Sequence, residues 1–186
     1  MQRLNPTAIS DFYITLANAG DPDEDDGMTN LKLNKLLFLT QAASLQRYGR
    51  TLFDTPIEAW KYGPVVRPVY EKYKEYGRDS IPTPRSGFDW RTLDPDILNL
   101  LCDVYAAYAV DYTGTGLMRL THMPGTPWSD VYEPGENRTI SPQRILQWVS
   151  AHPLRTNTPP MPERMVEQPS FTPDGEVMLP ADWMDD

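Results

Sequence analysis

Cysteine is nearly absent. Cys102 stands alone among 186 residues, so no internal disulfide can form and a reducing cytoplasm is the expected compartment. Histidine is scarce too: His122 and His152 share no helix-face spacing, and the ligand set of a zinc site is missing. No apolar run approaches the roughly 18 residues of a membrane helix, and the mean hydropathy is −0.52. The opening Met1-Gln2-Arg3-Leu4-Asn5-Pro6 does not read as a signal peptide, and in a cytoplasm the sequon Asn137-Arg138-Thr139 goes unused. A basic excess is lacking as well. Acidic residues outnumber basic ones 26 to 17, for a net charge of −9. Neutralising phosphates needs a clustered basic surface, so the bulk charge excludes a nucleic-acid binder.

What is present is a body with extensions of a different kind. Apolar residues make up 40%, enough for a packed core. Residues 1–26 and 151–186 each carry a net −5, which leaves +1 for residues 27–150. Seven of the 19 prolines fall between Pro153 and Pro180. These skews divide the chain into a near-neutral domain, residues 1–152, and a proline-rich acidic C-terminal extension, residues 153–186.

The body reads as mainly α-helical with a short extended element. Asn5-Pro6 is a cap followed by proline at the first helical position, opening a helix with Ala8, Ile9, Phe12 and Leu16 on one face and a stop near Gly20. The run Asp21-Pro22-Asp23-Glu24-Asp25-Asp26-Gly27 is a self-repelling loop. A second helix runs from Thr29 to about Tyr48, with Gly49 as its stop. Its apolar members fall all round the wheel, as in a helix surrounded by others, so it is expected at the centre. Leu52-Phe53 and Ile57–Tyr62 read as extended, the latter ending at Gly63-Pro64. Val65–Tyr76 has the pattern of an amphipathic helix, and residues 78–92 form a connector. Asp94-Pro95 opens a helix with a polar stripe of Asp96, Asn99 and Asp103. Gly114 and Gly116 break the chain before a short turn, Leu117–His122. Pro127–Tyr132 reads as one helical turn, and Ser141-Pro142 caps a last helix through about Ala151.

Chemistry is harder to find. No metal site emerges: Asp21, Asp23 and Asp25 alternate as in a calcium loop, but the sixth and twelfth places hold Asp26 and Lys32 instead of glycine and glutamate. Gly114-Thr115-Gly116 lacks the rest of a phosphate-loop signature. A nucleophile would need His122 with Ser129 and Asp130, or Cys102 with a histidine. Neither arrangement follows a known local pattern, and Cys102 among Leu100, Leu101 and Val104 reads as a buried inert thiol. The Asp96/Asp103 pair suits an exposed helix face better than acid–base work. Lys35 lies on the wheel between Leu31, Leu39 and Ala42. It is either a desolvated lysine of lowered pKa or a snorkelling side chain, the second being preferred. Trp60, Tyr62, Tyr70, Tyr73, Tyr76 and Trp128 at helical spacings read as core packing before stacking platforms. No cofactor is implied.

Several stretches together resemble the Panacea domain of the SocA-like antitoxins, a phage-associated family. They are Asn30–Phe38, Tyr48–Phe53, Ile57-Glu58-Ala59-Trp60-Lys61-Tyr62-Gly63-Pro64-Val65-Val66 with Val69-Tyr70, Leu120-Thr121-His122 with Pro127-Trp128, and Ile140-Ser141. The likeness spans roughly residues 8–150. It implies a small helical protein of a toxin–antitoxin system that neutralises a cognate protein toxin, encoded by an adjacent gene, through direct protein–protein contact. An adaptor that delivers the toxin to a cytoplasmic protease is the alternative, and a hydrolase using His122 is a second one. The resemblance carries over no catalytic residues, so the expectation is a non-enzymatic protein with neither nucleic-acid nor membrane partner.

The motif residues have readings that suit a scaffold. Lys35 and Leu36 lie on the central helix. Trp60 and Tyr62 are expected on one side of a short strand, covering that helix, with Gly63-Pro64 ending the strand. Thr121, His122 and Trp128 close the far end, His122 as a hydrogen-bonded structural histidine. Partner contacts are then expected on loops and extensions. In the tail, Phe171, Met178 and Trp183 interleave with Asp182 and Asp185, a composition able to dock on a basic, partly apolar surface. Packing of that stretch back on its own domain is the equal alternative.

Overall fold

Asparagine 5 begins the ordered helices as its chemistry requires. Its side chain accepts the Thr7 amide, Pro6 occupies the first helical position, and α1 runs Pro6–Ala17. The computed structural model describes residues 3–19, 27–84 and 89–155. The expected stop at Gly20 and the acidic loop at 21–26 lie outside these residues. Within them, Asn18 closes α1 by donating its amide to Ile14.

Helix α2, Asn30–Tyr48, is capped by Thr29 and terminated by Gly49 in the left-handed conformation, where only glycine is unstrained. Every residue from Lys32 to Leu45 is buried. Around it pack α1, α3 (Arg67–Tyr73), α4 (Pro95–Val104), α5 (Gly114–Thr121) and α6 (Pro142–Ala151). The all-round apolar wheel expressed this encirclement.

Three short strands complete the fold. β1 (Ile57–Trp60) pairs antiparallel with β2 (Gly63–Val65) on one side and β3 (Arg138–Ile140) on the other, in the order β2-β1-β3. Glu58 faces Val65 across the hairpin, and Ile57 faces Ile140. Pro64 has no amide to donate, and it sits in the edge strand β2, where no ladder bond is lost.

The structure corrects several expectations. Gly63-Pro64 does not end a strand but forms one, so Val65 belongs to β2 and the helix begins only at Arg67. It runs to Tyr73, and a tighter turn follows over Lys74–Tyr76. Ile57 and Ala59 face the core, whereas Trp60 is half-buried on the other face and Tyr62 is 58% exposed in the hairpin turn. The turn at Lys61-Tyr62 takes Tyr62 out of the strand's alternation. Gly114 and Gly116 do not break the chain; they form the first turn of α5, capped by Thr113. A side chain at Gly114 would meet the Lys32 amide at 3.2 Å, so only glycine lets α5 begin against the start of α2. α4 continues into a wider π turn over Tyr105–Ala109, which periodicity did not foreshadow. Leu154 is clipped to α2 through both polar atoms of the Gln46 side-chain amide.

The segment Leu52-Phe53 is buried but is not a strand: the chain bends at Leu52, against the extended reading. Its backbone is satisfied by Gln41 instead. Gln41 Oε1 accepts the Leu52 and Phe53 amides at 2.8 and 3.3 Å, and Nε2 donates to the Phe53 carbonyl at 2.8 Å. A Gln41→Leu substitution strands these buried groups and should destabilise the fold by about 2–4 kcal/mol. Urea denaturation tests this through a lowered midpoint at unchanged slope; an unshifted midpoint contradicts it.

Candidate functional site

The family-motif residues converge around Lys35. This lysine is fully buried on α2, and its Nζ donates to the Pro64 carbonyl of β2 at 2.9 Å. It does not snorkel. Among the described residues no carboxylate offsets the loss of water, and burial pushes its pKa down to about 7. Gly63 crosses directly above it with φ +101°; a Cβ there would lie 2.5 Å from Lys35 Cε and 3.1 Å from Thr121 Oγ1. The Gly-Pro pair is thus required twice, once for the close approach and once for the carbonyl. Leu36, the next residue, is fully buried in the core.

Thr121 ends α5 with its hydroxyl turned back on the Leu117 and Met118 carbonyls. His122 follows and stacks on Trp128 with ring centroids 3.7 Å apart and planes 4° from parallel. Tyr132 stacks on the other ring contact of Trp128 at 4.5 Å. Trp128 Nε1 donates to the Trp60 carbonyl at 2.8 Å, tying this stack to the hairpin. His122 is held by stacking, and its buried Nε2 has no hydrogen-bond partner among the described residues. This differs from the hydrogen-bonded histidine expected. Burial, and then the charge of Lys35, lower its pKa, so the ring is neutral at pH 7.

The other candidates separate. Ser129 Oγ bonds to the Thr126 carbonyl, and Asp130 pairs with Arg144 at 3.0 Å. Each is thus committed away from His122. Asp103 is held by Arg47 at 2.6 Å, so the Asp96/Asp103 stripe is partly an inter-helix tie. Cys102 is exposed, not buried; partial burial, then Asp103, raise its thiol pKa and suppress the thiolate. Tyr73 is core, donating to the buried Asp11 carboxylate at 2.5 Å, which also accepts from Lys72 at 3.0 Å. Trp60 meets Tyr70 edge-on at 4.8 Å. Phe171, Met178, Trp183, Asp182 and Asp185 lie outside the described residues. Among the described residues no group of His, Cys, Asp and Glu could hold a metal ion, and no helix is long and apolar enough to cross a membrane.

One feature had no clear sequence signal. A cleft of about 920 Å³ opens between the starts of α2 and α5 and the β1–β2 turn. Lys32, Lys35, Lys61, Lys74 and Arg78 line it together with Trp60, Tyr62 and Tyr70. These cations are scattered over almost fifty positions and only the fold gathers them.

A family model described as antitoxin SocA-like, Panacea domain, matches residues 33–129, an interval that holds every motif residue from Lys35 to Trp128. No curated protein and no solved structure matches the chain.

The Lys35 geometry sets a pH dependence. Its folded pKa lies near 7 and its unfolded value near 10.5, so between these values the unfolded chain binds the extra proton. Stability should therefore rise as pH increases from 7, by at most about 1.4 kcal/mol per pH unit. Thermal or urea unfolding of the wild type and Lys35→Met over this range checks the sign. The variant should lose most of the slope, and an equal slope in both proteins contradicts the assignment.

Proposed function

From the premise that this chain belongs to the SocA-like antitoxin family and carries its Panacea domain, we propose that it neutralises a cognate protein toxin by direct, non-catalytic contact. The family supports an antitoxin role in general. The observation that supports the contact mechanism is where the motif residues go. Lys35, Gly63, Pro64 and Thr121 approach one another inside the domain, and Trp128 bonds to the Trp60 carbonyl and stacks on His122, so what is recognisable in the motif is devoted to building the scaffold. Recognition of the partner is then left to surface, loops and extensions.

In this reading residues 1–152 are the scaffold and the C-terminal extension contributes specificity. Phe171, Met178 and Trp183 supply apolar anchors, while Asp182 and Asp185 meet basic groups on the toxin. The protein acts in the cytoplasm, where its toxin is made from the adjacent gene.

Co-expression tests the reading. Induction of the neighbouring gene should arrest growth, and this chain should restore it, in the wild type and in His122→Ala alike. Failure to rescue, or rescue abolished by His122→Ala in a protein that still folds, defeats it. Rescue that requires an intact cytoplasmic protease would make the chain an adaptor instead. Deleting residues 165–186 should weaken toxin binding by about tenfold or more, the effect of losing a hot-spot anchor, while circular dichroism stays unchanged. Equal affinity of full-length and truncated protein would remove the extension from the interface.

A further inference from the structure

The cleft between the starts of α2 and α5 and the β1–β2 turn is an apolar surface only partly covered. Leu31, Trp60, Tyr70 and Met118 line it half-buried, and Tyr62 stands 58% exposed at its edge. Aromatic side chains carry a large apolar area, and leaving that area to water is unfavourable. The deeper charge is not open to a partner: Lys35 is fully buried on the Pro64 carbonyl, and Lys74 pairs with Glu71 at 2.5 Å. What an incoming group meets is the rim. There Lys61 and Arg78 are exposed, and neither forms an ion pair among the described residues. Lys61 Nζ lies 5.2 Å from the Tyr62 ring centroid, so cation and aromatic edge are side by side.

The C-terminal extension starts within reach of this surface. Gln46 Oε1 accepts the Leu154 amide at 2.7 Å, and Tyr108 accepts the Arg155 amide at 3.1 Å. The chain therefore leaves the body beside the end of α2, while the cleft lies at its start. Gln46 and Leu31 are 15 residues apart on one helix, or about 23 Å at its rise per residue. The ten residues from 155 to 165 include Pro159, Pro160 and Pro162, and a proline-rich spacer of that length spans about 31 Å. Everything beyond Met165 can reach the cleft.

The composition of that stretch complements the rim. Residues 165–186 hold six acids and no base, with Phe171, Met178, Leu179, Trp183 and Met184 among them. Asp182 and Asp185 flank Trp183-Met184, as Lys61 and Arg78 accompany the aromatic edge. The segment 21–26 is acidic as well, but its only uncharged residue is Pro22, so it has nothing with which to cover Trp60 and Tyr62. Tethering also lowers the affinity required. A linked segment is present at an effective concentration on the order of 1 mM, so a contact of similar Kd is half populated.

We infer that the cleft is an internal docking groove for the chain's own C-terminal extension, with Trp183 against Trp60 and Tyr62 and its flanking aspartates on Lys61 and Arg78. The contact exists in the free protein and needs no other molecule, so it does not rest on the antitoxin reading. If both hold, a toxin that takes up the extension must first draw it out of the groove.

Nuclear magnetic resonance of the full chain tests this without any toxin, so either reading can fail alone. A nitroxide is attached at Ala181→Cys in a Cys102→Ser background. The amides of Lys61, Tyr62 and Thr115 should lose intensity. Those of Asp96 and Ile97, near Tyr48 at the far end of α2, should keep theirs. Adding Trp183→Ala, or the surface pair Lys61→Glu/Arg78→Glu, should restore the lost intensity. Loss spread evenly over the surface, no loss at the cleft, or loss that persists in either variant overturns the inference. A mixture of spin-labelled chains and isotope-labelled chains without nitroxide should show no loss; loss there makes the occupant a second copy and overturns docking within one chain.

Discussion

A helix buried on every side must still carry polar groups, and those groups must find partners inside the protein. In α2 the partners are supplied by one stretch of backbone. Gln41 takes Leu52 and Phe53, Lys35 takes the Pro64 carbonyl, Asn34 accepts the Val66 amide at 2.9 Å, and Asn30 donates to the Tyr70 carbonyl at 3.1 Å. Four side chains on one helix thus prescribe the path of the chain from 52 to 70. An unsatisfied buried amide or carbonyl costs about 1–3 kcal/mol, so a shift of this segment by one residue would break several such bonds together. The hairpin is too short to fix itself and is fixed from below.

That constraint restricts the residue type at several motif positions. Glycine is needed at 63 for a positive φ and for closeness to Lys35; proline at 64 is permitted because β2 is an edge and useful because its carbonyl is left for the lysine. Trp128 reaches across to the Trp60 carbonyl and brings the end of α5 with it. The motif is a set of interlocking supports. Its lysine also borders a cleft, so one buried side chain both anchors the hairpin and lines the space beside it.

Much of the fold was legible because it follows from local chemistry. Asn5-Pro6, Asp94-Pro95 and Ser141-Pro142 each open a helix where a cap and a first-position proline imply one, Thr29 opens α2 as a cap alone, and Gly49 closes α2 as a left-handed stop. The errors have a common origin in short elements. Three-residue strands such as Gly63–Val65 and Arg138–Ile140 have no periodicity to read, and their pairing is a long-range fact. Gly114 and Gly116 looked like breakers because a helix interior disfavours glycine, yet tertiary packing against Lys32 outweighs a propensity of about 1 kcal/mol. Cys102 looked buried from its apolar neighbours, but the helix turns it outward.

The sequence by itself determined the helical class, the central place of α2, the split between a neutral body and acidic extensions, and the family. All of these depend on residue type and nearest-neighbour spacing, which the chain displays directly. Only the tertiary structure decided that Lys35 is desolvated rather than exposed, that His122 is held by a stacked indole, and that Lys32, Lys35, Lys61, Lys74 and Arg78 share one cleft. Burial, stacking and the summed field of distant charges are properties of distances between residues far apart in sequence, and those distances exist only once the chain has folded.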